Sequence, residues 1–442
     1  MNEIRKTYTL EEGQALRRAD TATRETLQLA LLHSHLQQAS RMPFYGERFR
    51  KLDFQPEDVR SIADLATLPL TSRRDLDEGF ASFSRDDLSP FADIALTSGT
   101  TGEPVVVPYT PLDLDRLAYN EMMGFYGAGV RARDRVLLTV TLDRCFIAGL
   151  AYYSGLVRLG AAVIRSGAGQ PARQWHLIKT LHPRFLVGVP SFLLNLAQWG
   201  AANGMTPREA GIAGIITIGE PTRRADLSLT PLGELLKEGW GAPLYSSYGA
   251  TELETAFCEC AQRRGGHVHP ELMLVEIVDD EGYVLPAGEP GEVVVTPLGV
   301  EGMPLVRFQT GDVARIDETS CACGWQTPRL GPIEGRLAQR LKYRGTTLYP
   351  EMIFHALQEI PAVQAAYVEV RAGYDLADEV TVVVGGEVSE ALIQDLLQAK
   401  LRVRPAIVIR SPREVAVVME QAGGRKPQKF FDYRSNSAGY AS

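Results

Sequence analysis

Short apolar runs alternate with helical patterns through the middle of the chain. Residues 10–50 carry apolar positions at helical spacing, and Pro43 is expected to stop this helical region. The apolar runs typical of buried strands are 136–140, 185–190 and 212–219. A helical stretch at 193–204 separates two of them. Strands that alternate with helices predict an α/β domain.

The pattern changes twice towards the carboxyl terminus. Residues 267–316 alternate apolar and polar positions between Gly, Pro and Asp turns, which predicts an antiparallel β portion. The last hundred or so residues predict a small separate domain. Its expected elements are a helix at 348–360, strands at 363–371 and 379–388, and a helix at 389–403. We expect the domain boundary within 335–345, where apolar periodicity gives way to glycine and basic residues.

Composition and charge exclude several classes of protein. A chain of 442 residues is too long for one compact core, so two or more domains are expected. The net charge of -8 argues against nucleic acid as the main partner. No apolar run approaches the ~18–20 residues of a membrane span. The polar start has no secretory pattern and five cysteines make no disulfide scaffold, so a cytoplasmic protein is expected.

The segment 96–104, LTSGTTGEP, carries the sharpest local signal. Two glycines stand among four hydroxyl side chains, and they let backbone N–H groups converge on an anion. The hydroxyls add further donors for phosphate oxygens. The segment lacks the Walker pattern. A plain polar turn is the alternative on composition alone.

The cysteines carry a second signal. Four of the five form two C-x-C pairs, Cys258 with Cys260 and Cys321 with Cys323, and two histidines follow the first pair. Thiolates and imidazoles at such spacing suit a structural, tetrahedral zinc ion. The alternative is a set of reduced thiols without metal. Cys145 stands alone and is expected to be a small core or pocket residue.

Five motifs in order resemble those of the adenylate-forming superfamily, which includes acyl-CoA synthetases, peptide-synthetase adenylation domains and luciferases. They are TSGTTGEP (97–104), SSYGATE (246–252), FQTGDVARI (308–316), IEGRLAQRLKYRG (333–345) and GGRKPQKFFDYR (423–434). Within that superfamily the chain is most similar to the phenylacetate–coenzyme A ligase family. That similarity rests on PFYGERF, IGEP, MPLVRFQTGD, CACG and YPEMI, and on the length of the chain.

The resemblance implies an architecture and a reaction. The expected fold is a large N-terminal α/β adenylation domain with a β portion, residues 1–335, followed by a small, mobile α+β C-terminal domain, residues 336–442. The implied enzyme is an AMP-forming ligase that joins a carboxylic acid to ATP, giving acyl-AMP and pyrophosphate. It then passes the acyl group to coenzyme A. The expected cofactors are ATP, Mg²⁺, coenzyme A and a structural Zn²⁺, and a homodimer is one expected assembly.

The resemblance also assigns roles to residues. The phosphate-binding loop consists of Thr97, Ser98, Gly99, Thr100, Thr101 and Gly102. The rest of the nucleotide site consists of Gly219, Glu220 and Pro221 around adenine, Tyr248, and Asp312 and Arg336 at the ribose. The implied catalytic residues are Glu252 on Mg²⁺, Thr251 at the α-phosphate and Lys426 as a mobile cation, with Lys429 as its alternative. The zinc ligands are Cys260, His267, Cys321 and Cys323, with Cys258 or His269 as replacements.

The acid pocket is implied less sharply. Its expected lining residues are Phe146, Tyr152, Gly214, Ser246, Gly249 and Ala250. Aromatic side chains opposite glycines suit a flat aryl acid, although ordinary core packing is the alternative for each aromatic residue.

One departure from the family pattern opens an alternative function. Ala338 stands at the hinge, where relatives carry a polar residue. Rotation needs only tolerance of backbone change, so the hinge still works in principle. Even so, the second step is open: an acyl carrier protein or an amine could replace coenzyme A as acceptor. A third hypothesis is a catalytically silent nucleotide-binding protein on the same fold, against which Glu252, Asp312 and Lys426 argue.

Overall fold

The computed structural model describes residues 7–77, 79–84, 91–97, 104–343, 346–372, 378–421 and 427–434. The chain divides into two compact units. The first ends at Ile333, and the second contains the short segment 311–313 and everything from Glu334 onwards. Among the described residues, no helix is both long enough and apolar enough to cross a membrane.

The elements follow one another in chain order. The helices are α1 (Leu10–Arg18), α2 (Thr21–Ala39), α3 (Pro43–Lys51), α4 (Arg73–Leu76), α5 (Phe80–Phe83), α6 (Pro111–Gly127), α7 (Ile147–Leu159), α8 (Pro171–Leu181), α9 (Pro190–Ala202), α10 (Pro231–Trp240), α11 (Pro350–Leu357), α12 (Glu390–Leu401) and α13 (Pro412–Gln421). The strands are β1 (Asp93–Leu96), β2 (Val106–Tyr109), β3 (Arg135–Leu138), β4 (Ala162–Arg165), β5 (Phe185–Gly188), β6 (Gly214–Ile218), β7 (Leu244–Ala250), β8 (Thr255–Cys258), β9 (Gly266–His267), β10 (Met273–Val278), β11 (Gly291–Pro297), β12 (Phe308–Ala314), β13 (Ile316–Asp317), β14 (Arg329–Leu330), β15 (Gly335–Arg336), β16 (Leu341–Tyr343), β17 (Thr346–Leu348), β18 (Val363–Ala372), β19 (Asp378–Gly386), β20 (Ala406–Arg410) and β21 (Phe430–Asp432).

Three helices, not one, cover the predicted helical region 10–50. The Asp20 side chain caps α2 by accepting from the Thr23 amide at 2.7 Å. The prediction that Pro43 stops a helix is wrong, because Pro43 is the first residue of α3. Proline suits that position because the first helical residue needs no N–H donor and its φ is already near the helical value.

A six-stranded sheet in the order β4-β3-β5-β6-β7-β8 is the centre of the first unit. Its first five strands are parallel, and β8 is antiparallel at the edge. Helices α6 and α7 cover one face through Met122 and Leu156. Helices α8, α9 and α10 cover the other face, where the rings of Trp175 and Trp240 stack with their centroids 5.5 Å apart. Coverage on both faces explains why these strands are continuously apolar. The predicted α/β domain is confirmed.

The order of the strands also marks where a ligand would bind. From β3 the chain crosses to β4 on one side, and from β5 it crosses to β6 on the other. In an open parallel sheet, ligands bind in the crevice outside the carboxyl ends of two such strands. Here those ends are Leu138 and Gly188.

The predicted antiparallel portion forms two small sheets. Strands β10 and β11 pair antiparallel, and β12 lies beside β11. Strands β13, β14 and β9 form a three-stranded antiparallel sheet, in which His267 lies opposite Arg329.

The second unit is a four-stranded sheet in the order β20-β19-β18-β21. Helices α11 and α12 pack on one face around Ile353 and Leu397, and α13 packs on the other through Val415 and Met419. The predicted helices and strands between 348 and 403 are present, and β20, α13 and β21 follow them. A small α+β C-terminal domain is therefore confirmed.

Candidate active site

The ends of the predicted phosphate loop are fixed by a β-hairpin. Strands β1 and β2 pair antiparallel, and Thr97 follows β1 directly. The Thr97 amide donates to the Val105 carbonyl at 3.0 Å, and the Val105 amide donates to the Thr97 hydroxyl oxygen at 3.0 Å. Thr97 is therefore a buried anchor. The other predicted loop residues, Ser98, Gly99, Thr100, Thr101 and Gly102, lie outside the described residues.

Glu252 and Thr251 lie on a short turn that begins where β7 ends. Nη1 of Arg73 lies 3.1 Å from Oε1 of Glu252 and 3.5 Å from the Thr97 hydroxyl oxygen. The Tyr109 hydroxyl donates to the Thr251 carbonyl at 3.1 Å, and burial raises the pKa of Tyr109, which keeps the hydroxyl protonated. The structure thus brings Thr97, Thr251 and Glu252 to one place.

Arg73 is the residue of this group that sequence reasoning missed. It begins the four-residue helix α4, and Arg74 follows it directly, so no local pattern distinguishes the two arginines. Arg74 is exposed, whereas Arg73 bridges two predicted nucleotide-binding residues. Only the tertiary contact identifies Arg73.

We expect an Arg73→Met variant to raise the KM for MgATP by about tenfold with little change in kcat. A charge-assisted hydrogen bond contributes about 1.5–3 kcal/mol. The bond between Arg73 and Glu252 orders the nucleotide site before substrate binds, so its loss should weaken the ground state and the transition state equally. Such a loss of uniform binding raises KM and leaves kcat unchanged. Initial rates across an ATP series measure the change. Arg74→Met is the matched control and should behave as wild type. An unchanged KM in Arg73→Met would show that the bridge does not order the nucleotide site.

Gly219, Glu220 and Pro221 form the turn after β6, at the carboxyl edge of the sheet. Gly219 has a φ of 73°, a left-handed conformation that glycine adopts without strain. The Glu220 carboxylate accepts from both the amide and the hydroxyl of Ser191, each at 2.9 Å. Since Ser191 lies in the first turn of α9, Glu220 ties the loops after two neighbouring strands together.

The predicted acid-pocket residues are not all neighbours. Ser246, Gly249 and Ala250 lie on β7, and Tyr248 between them packs nearly parallel to the Phe257 ring at 6.1 Å. Phe146 immediately precedes α7, and Tyr152 lies on that helix and is buried. Gly214 is elsewhere, because it begins β6 at the amino edge of the sheet. There a Cβ would lie 2.8 Å from both the Phe185 and Tyr245 rings, so Gly214 serves core packing.

Asp312 and Arg336, the two residues predicted at the ribose, are direct cross-strand neighbours in the second unit. They face each other in the β12–β15 pair, and Nε of Arg336 lies 3.4 Å from Oδ1 of Asp312. A Cβ at Gly335 would lie 2.2 Å from Cγ of Tyr349, so glycine is required beside Arg336. The pairing brings together two residues that are distant in sequence.

The two candidate lysines differ in what the structure describes. Lys426 lies outside the described residues. The Lys429 carbonyl accepts from the Val368 amide at 2.8 Å, and its ammonium lies 5.9 Å from the centre of the Phe354 ring. Lys429 is thus fixed to the sheet of the second unit by its backbone.

The hinge segment is held from the carboxyl terminus. Arg434 donates to the Ala338 carbonyl at 3.2 Å and to the Arg340 carbonyl at 2.9 Å. Both contacts reach backbone atoms, so they do not depend on the side chain at position 338.

Cys260, His267, Cys321 and Cys323 form a compact cluster in the first unit. Their ligand atoms all lie within 4.8 Å of one another. Sγ of Cys260 lies 3.7 Å from Sγ of Cys321, and Sγ of Cys323 lies 3.4 Å from Nε2 of His267. The Nδ1 atom of His267 contacts the Thr327 hydroxyl at 2.9 Å, and burial lowers the pKa of His267 to about 3, so the ring is neutral.

The two alternative ligands lie outside this cluster. Cys258 ends β8 and faces Gly124 of α6, where a Cβ would lie 3.0 Å from the Cβ of Cys258. His269 instead contacts the guanidinium of Arg17, which is also paired with Glu271 at 2.7 Å. Of the candidates left open by the sequence, the structure groups the set implied by the family resemblance.

Comparison with known proteins gives consistent results. The AMP-binding enzyme family model matches residues 47–300. The phenylacetate-coenzyme A ligase of Thermus thermophilus is 31% identical over 82% of this chain and 80% of its own length. The Pseudomonas putida enzyme of the same name is 29% identical over 78% of this chain and 76% of its own.

A solved structure shows the same fold. The crystal structure of a 2-hydroxyisobutyryl-CoA ligase in its postadenylation state superposes with a TM-score of 0.80. The superposition covers 98% of this chain and 92% of the ligase chain, and the two sequences are 22% identical. The matched family model spans more than half of the chain, and the Thermus relative exceeds 30% identity over most of it. The chain therefore belongs to the AMP-binding enzyme family and is an AMP-forming carboxylate ligase similar to phenylacetate-coenzyme A ligases.

Proposed function

We propose that this enzyme activates an aryl carboxylic acid with ATP and transfers the acyl group to coenzyme A. In the first step a carboxylate oxygen attacks the α-phosphorus of ATP, which forms acyl-AMP and releases pyrophosphate. In the second step the thiol of coenzyme A attacks the acyl carbon, and AMP leaves. The observation that carries the proposal is the grouping of Thr97, Arg73 and Glu252 in a chain of this family.

Each half of the nucleotide site has its own support. In the first unit, the phosphate tail would meet the loop that begins at Thr97, and Glu252 would hold Mg²⁺. That ion prefers a carboxylate together with phosphate oxygens. When bound, Mg²⁺ neutralises charge on the phosphates. In the second unit, the Asp312 carboxylate would accept from the two ribose hydroxyls, and the Arg336 guanidinium lies 3.4 Å from the same carboxylate.

The acid is proposed to lie at the carboxyl ends of β3 and β5. This is the ligand-binding crevice of an open sheet, and Phe146 and Tyr152 follow β3 there. The proposal of an aryl acid rests on these aromatic side chains and on the phenylacetate named for the sequence relatives.

The acyl acceptor is proposed to be coenzyme A because the sequence relatives are named phenylacetate-coenzyme A ligases. Transfer to a carrier protein or an amine was motivated by Ala338. The contacts of Arg434 argue against these alternative acceptors, because they hold the hinge through backbone carbonyls, which every residue has, and not through the side chain at position 338.

The Cys/His cluster is proposed to hold a structural zinc ion. Sulfur and nitrogen ligands at about 2.3 Å and 2.0 Å from a tetrahedral zinc ion lie roughly 3.5–3.8 Å apart, and the measured contacts of 3.7 Å and 3.4 Å fit that geometry. Three thiolates and a neutral imidazole would complete the tetrahedral coordination of the ion, with no position left for substrate. Such a site stabilises the fold and takes no part in the reaction.

An acid panel tests the proposed function. Pyrophosphate release is followed with and without coenzyme A, and products are separated by mass spectrometry. We expect release that depends on one group of aryl acids, and an acyl-CoA thioester only when coenzyme A is present. Acid-dependent pyrophosphate release without any thioester would instead support the carrier-protein or amine acceptor. ATP binding without turnover on any acid would remove the proposal.

A further inference from the structure

Four polar side chains meet in the apolar core beneath the carboxyl edge of the main sheet. They are Glu121, Tyr152, Ser247 and Cys258, here called the polar cluster. All four are buried, with exposures between 5% and 8%. Neither the phosphate loop, the ribose pair nor the zinc ligands include any of them.

Helix contacts place Glu121 beside Tyr152. A Cβ at Gly155 would lie 2.3 Å from the Cβ of Glu121, so α6 and α7 touch at these two residues. Tyr152 lies three residues before Gly155 and therefore on the same face of α7. Burial, and after it the negative charge of Glu121, raise the pKa of Tyr152, as expected for two groups on the contacting faces of α6 and α7.

Contacts with the sheet add the other two members. Gly124 lies three residues after Glu121 on α6, and it touches the Cβ of Cys258. Cys258 lies opposite Ser247 in the β7–β8 pair. The four side chains therefore occupy one space between α6, α7 and the end of β7.

Two members of the polar cluster, Glu121 and Ser247, lack the partners that buried polar groups normally have, whereas the Cys258 thiol donates to the Glu259 carbonyl at 3.6 Å. Among the described residues, none forms a hydrogen bond or ion pair with the Glu121 carboxyl group. The Ser247 hydroxyl oxygen is buried without a hydrogen bond, although the Cys258 thiol faces it. Burial alone raises the pKa of Glu121 to about 8. A buried carboxyl group without a partner is costly, and in native proteins it calls for a ligand or another explanation.

The position of the polar cluster suggests which ligand. Ser247 lies opposite Ile218, the last residue of β6, and the Gly219 turn follows it directly. Tyr152 lies less than two turns after Phe146. The cluster thus lies on the α6 and α7 side of the main sheet, at the same carboxyl edge that carries the crevice proposed for the acid.

We propose that the polar cluster is the floor of the acid pocket and that the acid carries a hydroxyl or amino group remote from its carboxylate, which donates a hydrogen bond to Glu121. This inference rests on the proposed function and narrows its substrate class. An unsubstituted aryl acid would leave the Glu121 oxygens without a donor. Sites built to hydrogen-bond a substrate group reject analogues that lack it.

Matched pairs of acids test the inference. Each pair has the same aryl skeleton, with a ring hydroxyl or amino group in one member and a hydrogen or methyl group in the other. We expect wild-type kcat/KM for pyrophosphate release to favour the substituted member by about 10- to 100-fold. In Glu121→Leu that ratio should fall to near one. Glu121→Gln is the conservative variant and should keep most of the preference, because its amide oxygen still accepts a hydrogen bond from a ring hydroxyl or amino group.

Two controls keep the outcomes separate. Glu276→Gln changes a carboxyl group outside the polar cluster and should keep the wild-type ratio. If Glu121→Leu fails to fold, Glu121→Met removes the acceptor with an unbranched apolar side chain of similar length, and the ratio should again fall to near one. A wild-type enzyme that activates unsubstituted acids as well as substituted ones, with a ratio unchanged by these variants, would overturn the inference and leave the proposed function intact. No activation of any acid would instead remove the proposed function.

Discussion

A Lys426→Ala variant should release pyrophosphate at least about a hundredfold more slowly than the wild type at saturating ATP and acid. As the carboxylate attacks the α-phosphorus, negative charge builds on the bridging oxygens. A positive charge delivered there stabilises the transition state more than the ground state. Removing one such preorganised group typically costs 10²–10³ in rate. Because the interaction belongs to the transition state, kcat and kcat/KM should fall together.

Lys429→Ala is the matched control for this result. It removes an equal charge three residues away, on a residue whose backbone is fixed to Val368 and whose ammonium contacts Phe354. Its pyrophosphate release should stay within a few-fold of the wild type. Single-turnover formation of acyl-AMP, measured for both variants, separates the chemical step from product release. Full activity in Lys426→Ala combined with a large loss in Lys429→Ala would transfer the catalytic role to Lys429.

The main sheet could be predicted from sequence because its strands leave an unambiguous pattern. A parallel strand covered by helices on both faces must be apolar nearly throughout. Strands β5 (185–188) and β6 (214–218) show this pattern. Pro43 shows the limit of such local signals. The same residue is compatible with the end of one helix and the start of the next, and only packing decides between them.

The candidate site was predictable where its residues lie within a motif and hidden where a tertiary contact creates it. Glu252 is part of SSYGATE, but Arg73 meets it across 179 positions of chain. Glu121 lies on a helix among apolar residues, and nothing nearby in sequence marks it as unpaired. The spacing of the cysteines suggested a metal but could not choose between Cys258 and Cys260. The end of β8 separates the two cysteines in space, since Cys258 packs in the core against α6, whereas Cys260 lies in the following loop within the Cys/His cluster.

Loss of the Cys/His cluster should destabilise the first unit by about 4 kcal/mol or more, since loss of a metal is one of the few mechanisms by which a single substitution has so large an effect. The four ligands come from three separate segments: the loop after β8, strand β9, and the loop between β13 and β14. The Trp325 ring packs edge-on against the His267 ring with centroids 5.0 Å apart, and the Trp325 amide donates to Sγ of Cys323 at 3.4 Å. The Arg17 guanidinium lies 5.4 Å from the same indole ring, and the Arg17 carbonyl accepts from the Gln326 amide. Without the metal, the binding free energy that links the segments carrying the ligands is lost, and the contact of helix α1 with this segment should loosen as well.

Metal analysis and urea unfolding followed by tryptophan fluorescence measure this effect. We expect one zinc ion per chain in the wild type, and in Cys321→Ser both loss of zinc and a lower unfolding midpoint. Cys145, which the sequence predicted as a small core or pocket residue, is instead exposed and lies outside the cluster. Cys145→Ser should therefore retain zinc and stability. Loss of zinc in Cys258→Ser but not in Cys260→Ser would show that the ligand set is wrong. A protein expressed with ample zinc that contains none, and whose unfolding does not respond to a chelator, would exclude a structural metal. Because the closed ligand set gives the ion no role in the reaction, the pyrophosphate release of folded Cys321→Ser should stay close to that of the wild type.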